Sequence, residues 1–191
     1  MAQFYSIGGI MNNQNQNEEK VVASASTQDE LEMARANVRD LSESILRRYA
    51  EGERNFRHAD LRFVDLRGAE LTEADFSHAN LSFANLGGAD LSFANLTSAN
   101  LTGADLRNAD FSDADLVDAN LVGAHLEGTN FHGADLMSAN LLSAYLGDTN
   151  FDHADLYQAH LTCYIPNDTD FEGANLSEAI INVGNISVEV K

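Results

Sequence analysis

The sequence predicts an all-β solenoid of square cross-section, entered through one α-helix, and three observations lead there. First, from about Arg54 to Ile181 the chain repeats every five residues without slipping. Every fifth position from Leu61 to Ile181 gives 25 centres, and Leu or Phe fills all but Pro166 and Ile181. Second, Ala stands two residues before the centre in all but five cases (Val64, Thr129, Thr149, Tyr164 and Thr169), and Asp or Asn directly before it in 19 of 25. A helix repeats at 3.6 and a strand at 2, so neither produces this pattern; a coil whose five-residue sides each turn one large and one small apolar residue inward does. Third, Phe111, Phe131, Phe151 and Phe171 stand twenty apart, as do Phe56 and Phe76, and Thr129, Thr149 and Thr169. Twenty divided by five is four sides per coil. Like residues then stack about 4.8 Å apart, the spacing of hydrogen-bonded strands. The stretch makes six to seven such coils, a rod roughly 30 Å long.

The blocks Ala-Asp-Leu-x-x and Ala-Asn-Leu-x-x resemble the pentapeptide-repeat family, widespread in bacteria and abundant in cyanobacteria, over roughly two thirds of the chain. The resemblance implies a right-handed quadrilateral β-helix with the centre Leu or Phe and the preceding Ala pointing inward. It also implies a mostly non-enzymatic protein. The lead-in from Ile45 to Phe56 is similar to the entry segment of cyanobacterial members, including a regulator of heterocyst differentiation.

Taken in order, residues 1–26 are expected to be disordered, since Asn12 to Glu19 is a polar Asn/Gln/Glu run too poor in apolar residues to pack. Residues 27–52 are expected to form a capping helix. Thr27 and Glu30 read as a capping box, Leu31, Ala34, Val38, Leu41, Ile45 and Tyr49 recur at helical spacing, and Gly52 is a stop. A solenoid's first coil exposes an apolar end and unpaired strand edges, which such a helix covers. A partner-binding helix is the alternative. Residues 53–184 carry the repeats. The tail, 185–191, alternates like a strand from Ile186 to Val190 and either adds a last side or pairs with a second chain.

Composition bounds the function. The start from Met1 to Met11 lacks a cationic region, so no signal peptide is expected, and no run approaches the ~18 apolar residues of a membrane span. The single cysteine, Cys163, excludes an internal disulfide and fits a reducing, cytoplasmic setting. A formal charge of −19 argues against direct contact with nucleic acid or anionic lipid. A flat-sided rod offers no concave pocket, and no phosphate loop or nucleophile elbow is present, so no catalytic residue and no cofactor are expected. Nor is a metal: the nearest set is the stack His132, Asp152 and Glu172, without the usual Cys/His spacing.

Outward positions carry whatever function there is. The stripes Asn80, Asn100, Asn120, Asn140 and Asp75, Asn95, Asp115, Asp135, Asp155 are expected to bond the local turn backbone, with carboxylate crowding raising their pKa values. In the later coils Val117, Met137 and Tyr157 follow the centres on one side, Val122 and Leu142 on the next, and Tyr145 stands between His125 and Ile165 on the one after. Apolar patches of this kind mark contacts, so these six residues are the candidate partner-binding site. Phe63, Phe83 and Phe93 form a smaller group. Around Tyr164 to Asp168 the consensus fails while the phase survives, and Pro166, which donates nothing to a ladder, should open that side.

Two functions follow. The first is a non-catalytic, rigid protein-binding or scaffolding module, monomer or dimer, with a protein partner. The second is mimicry of DNA, because some pentapeptide-repeat proteins protect DNA gyrase by presenting an acidic rod. From Arg54 to Gly184 there are 20 Asp/Glu against 5 Arg, net −15. Duplex DNA carries about 18 charges over a comparable 30 Å. Those mimics also dimerise through a C-terminal helix, whereas the helix here stands at the other end.

Overall fold

The computed structural model describes residues 28–183 and 186–189, so the segment 1–26 and the capping residue Thr27 lie outside the described residues. Backbone bridges join residues twenty apart, from Asn55↔Asp75 through Asp155↔Asn175, all parallel. The chain therefore closes one coil with every four repeats.

Each side follows from its five residues. The centre carbonyl accepts the N–H of the following Ala, as in Ala119 N–H to Leu116 C=O at 2.9 Å. The residue just before that Ala lies at positive φ, as at Asp118 (56°) and His153 (59°). One left-handed residue at the third place of a four-residue turn is the pattern of a type II turn. The Asp or Asn before the centre then accepts the N–H two residues on, as in Val117 N–H to Asp115 Oδ1 at 3.1 Å and Val122 N–H to Asn120 Oδ1 at 3.2 Å. That is why Asp and Asn dominate the position: their side chains satisfy a turn donor that the ladder leaves over. Between coils each side makes three backbone bonds, exemplified by Leu116 N–H to Asp135 C=O (2.7 Å), Asp118 N–H to Met137 C=O (2.9 Å) and Asp115 N–H to Ala94 C=O (2.9 Å).

The core is a column. Leu116, Leu136 and Leu156 are fully buried, as are Ala114, Ala134 and Ala154 beside them. Phe111, Phe131, Phe151 and Phe171 stack face to face with ring centroids 5.1–5.2 Å apart. Thr129, Thr149 and Thr169 replace Ala without an unpaired hydroxyl, because each donates to the carbonyl of a leucine one coil below (Leu106, Leu126 and Leu146) at 2.8–2.9 Å. A larger residue has no room in this slot. Ala124→Leu is expected to destabilise the rod by about 1–3 kcal/mol through overpacking; urea unfolding measures it, and an unchanged midpoint would count against the packing described.

Helix α1 spans Gln28–Ala50, with Asp29 and Glu30 in its first turn and Arg47 and Arg48 in its last, each complementing the helix dipole. It ends in a Schellman motif: Gly52, at φ +95°, donates to Tyr49 C=O and Glu53 donates to Arg48 C=O. The helix substitutes for a missing coil. Ile45 is buried against the first sides. The Ser42 hydroxyl accepts Asp65 N–H at 3.0 Å, and the Tyr49 hydroxyl donates to Thr72 C=O at 2.9 Å. Both backbone groups would otherwise be open at the rod's edge.

Around Pro166 the side opens while the twenty-residue phase continues beyond it, through Asn150↔Asp170 and Asp155↔Asn175. Position 164 should hold an inward Ala, but Tyr164 is too large for the slot and points out, 79% exposed, while Cys163 turns inward in its place. The usual bonds from Leu146 N–H and Asp148 N–H to the coil above are absent on this side, and the register returns at Asp170, which bridges Asn150. Strand β1 (His160–Leu161) pairs in parallel with β2 (Ile180–Val183), and β3 (Ile186–Glu189) folds back antiparallel onto β2. The tail thus pairs within its own chain and covers β2's outer edge.

Candidate functional site

The coil geometry assembles the six expected partner residues on three consecutive sides. Val117, Met137 and Tyr157 form one column, linked by Asp118 N–H to Met137 C=O and Ser138 N–H to Tyr157 C=O, both 2.9 Å. Val122 and Leu142 form the next, through Gly123 N–H to Leu142 C=O at 2.9 Å. Tyr145 bridges His125 and stacks its ring on that imidazole, centroids 4.6 Å apart and planes nearly parallel. The six are unequally available. Leu142 is 41% and Tyr145 54% exposed, whereas Val117, Val122, Met137 and Tyr157 are half-buried. The Tyr157 hydroxyl donates to Glu178 Oε2 at 3.0 Å, and that carboxylate raises the phenol's pKa. In the smaller group Phe63 and Phe83 stack at 5.6 Å and only Phe93 is strongly exposed.

Within the expected Asp stripe, Asp75 is lowered where crowding would raise it. Burial opposes the charge on Asp75, but the Ser77 hydroxyl and N–H and the Arg57 guanidinium outweigh it and hold the carboxyl below its ordinary range. Burial likewise opposes the charge on Asp105, and Arg107, whose Nε donates to Asp105 Oδ1 at 2.8 Å, reverses the balance. Asp60 is lowered chiefly by its hydrogen bonds from Arg62. Each of these three aspartates bridges to Asn or His in the neighbouring coils and not to a carboxylate, so hydrogen-bond donors set the direction.

The cations sit at one end. Arg57, Arg62, Arg67 and Arg107 all pair with repeat aspartates, and residues 108–184 hold 13 Asp/Glu and no Lys or Arg. Within that acidic half, His132 and Asp152 stack as expected, with His132 Nδ1 3.0 Å from Asp152 Oδ2. The third member is His153 rather than Glu172: its Nδ1 bonds the other oxygen of the same carboxylate. Sequence spacing by twenty missed His153 because its neighbour's column, not its own, holds the partners. Cys163 is a free thiol whose burial pushes its pKa up to about 11, which makes it a poor nucleophile and metal ligand. No helix among the described residues is long and apolar enough to cross a membrane.

The family model for pentapeptide repeats matches in eight copies over residues 55–92, 74–113 and 114–152. No curated protein matches the chain. Among solved structures the chain is similar to HetL, a pentapeptide repeat protein involved in heterocyst differentiation regulation from Nostoc sp. PCC 7120. That match has 25% identity, covers 72% of this chain and 95% of that one, and has a TM-score of 0.41. It is also similar to a pentapeptide repeat protein of the Arabidopsis thaliana thylakoid lumen (27% identity, 63% and 72% covered, TM-score 0.38). A third is QnrB1, a plasmid-mediated fluoroquinolone resistance protein (23% identity, 66% and 67% covered, TM-score 0.40). The matched residues run from Asn55 to Asp152, just over half of the chain, and are the same five-residue sides whose bridges build the rod; the chain belongs to the pentapeptide-repeat family.

Proposed function

We propose that the rod is a non-catalytic protein-binding module whose docking face is the strip of Val117, Val122, Met137, Leu142, Tyr145 and Tyr157. The observation that carries this reading is the exposure of Leu142 and Tyr145 on neighbouring sides of a rigid frame. In earlier coils the place of Leu142 holds residues such as Ser82, Thr97 and Thr102, whose hydroxyls donate to the Oδ1 of Asn80, Asn95 and Asn100. The place of Tyr145 holds Asp or Asn that accepts a turn N–H, as at Asp115 and Asn120. Two large apolar side chains kept in water next to half-buried Met137 and Val122 gain free energy only when a partner covers them. The His125 stack holds the Tyr145 ring in one orientation, so little side-chain entropy is lost on docking. A cytoplasmic setting belongs to the same reading, consistent with a free buried thiol.

Affinity capture with the full chain tests it. Met137→Glu combined with Leu142→Glu is expected to weaken recovery of the specific partner about tenfold or more, since charges at the centre of an apolar contact are desolvated without pairing. Retention of every partner by that variant removes the strip from consideration. Gyrase mimicry is the second reading, and the acidity of residues 108–184, which hold no Lys or Arg, is the observation that favours it. It ranks lower because the Asp Oδ1 atoms of that half, as at Asp110, Asp115, Asp135 and Asp155, already accept backbone N–H groups. Salt-sensitive inhibition of gyrase supercoiling by the rod would reverse the ranking.

A further inference from the structure

We propose that His132, Asp152 and His153 form a binding site for a divalent transition-metal ion of the zinc class. The potential ligand atoms of the three residues all lie within 4.8 Å of one another. His132 Nδ1 is 3.0 Å from one oxygen of Asp152, and His153 Nδ1 is bonded to the other. Two imidazole nitrogens therefore flank a single carboxylate. Zinc sits about 2.0–2.2 Å from such ligands, which places them about 3–3.5 Å from each other. Rotation of the two exposed imidazoles is the movement that would close the set to that spacing.

The solenoid holds the three residues in place. His132 and Asp152 stand one coil apart, linked through Gly133 N–H to Asp152 C=O at 3.0 Å. Their own N–H groups donate to Asn130 and Asn150 at 3.1 and 2.8 Å. His153 reaches the same carboxylate because it occupies the left-handed turn position, φ 59°, and its backbone N–H donates to Glu172 C=O at 2.8 Å. Its ring lies across Gly173, where a Cβ would stand only 2.9 Å from Nδ1. Glycine at 173 thus leaves the imidazole its orientation.

The chemistry selects the ion. Two nitrogens and one carboxylate suit Zn²⁺, Ni²⁺, Co²⁺ or Cu²⁺, whereas Ca²⁺ and Mg²⁺ take oxygen ligands. His132 and His153 are half or more exposed, so water completes the coordination. An imidazole that ligates through Nδ1 carries its proton on Nε2, which here faces away from the carboxylate contact. The surrounding acidic half of the rod, without Lys or Arg, adds an attractive field.

Calorimetric titration of the full chain with zinc chloride tests the site. One ion per chain is expected, together with a zinc-dependent rise in melting temperature by mass action. The double variant His132→Ala/His153→Ala should lose both, while His58→Ala/His78→Ala, which alters the other stacked histidine pair, should retain both. Cobalt loaded into the wild type should show visible d–d bands that Asp152→Asn shifts or abolishes. All these positions lie on the surface, and melting without metal checks that each variant folds. Undiminished zinc affinity in the His132/His153 double variant, equal competition by calcium, or no zinc heat and no melting shift in the wild type would each overturn the proposal.

Discussion

Phe131→Ala is expected to lower the free energy of unfolding by about 3–5 kcal/mol, the largest effect of any single truncation in the rod. Phe131 is fully buried, and its ring is sandwiched between Phe111 and Phe151 with centroids 5.2 Å away on either side. Removing it leaves a void that the surroundings cannot close. The coil spacing is set by backbone bonds such as Phe111 N–H to Asn130 C=O and Phe131 N–H to Asn150 C=O, both 2.7 Å, and the neighbouring rings are tied to that spacing. A globular core relaxes around a cavity from several directions, whereas this column has only the axial one and the ladder blocks it. Phe171→Ala is the control: its ring ends the same stack and is already partly exposed, so a smaller loss is expected. Urea or thermal unfolding of both variants measures the difference, and equal losses would mean that the stack is not the origin of the effect.

Ile45→Asp is expected to detach α1 and expose the first coil. Ile45 is 1% exposed, so the substitution forfeits about 1.5–3 kcal/mol of burial and would leave a carboxylate desolvated without a partner. Lifting the helix relieves that penalty. It also breaks the bonds of Ser42 to Asp65 N–H and of Tyr49 to Thr72 C=O, opening a strand edge above Leu61 and Leu66. A lone 23-residue helix is marginal in water, so far-UV circular dichroism should lose helical signal while the β-helix persists. The opened edge should then drive end-to-end association, visible as a mass increase by light scattering. Retained helicity with an unchanged mass would show that the helix does not protect the end.

The inward and outward pattern, the four-sided coil and the entry helix were legible in the amino-acid sequence. Period five and period twenty are covalent facts, and only one closed backbone path satisfies both. The Asp and Asn stripes were legible for the same reason, since the bond to the N–H two residues on is local. Other features depended on groups that meet only when coils stack. Tyr164 keeps the spacing of the repeat, yet its volume forces Cys163 inward in its stead, a competition decided by the space left between neighbouring coils. Carboxylate crowding is the expectation for the Asp stripe, but Asp75 bridges Asn55 and Asn95, and Arg57, eighteen residues away in the chain, reaches it and helps hold its carboxyl low. Tyr157 read as free apolar surface until Glu178, one coil on, proved to hold its hydroxyl. The sequence by itself determined the rod, because repetition fixes backbone geometry; the tertiary structure alone decided which side chains remain available at its surface, because that depends on neighbours twenty residues away and on the turn angles that bring His153 beside Asp152.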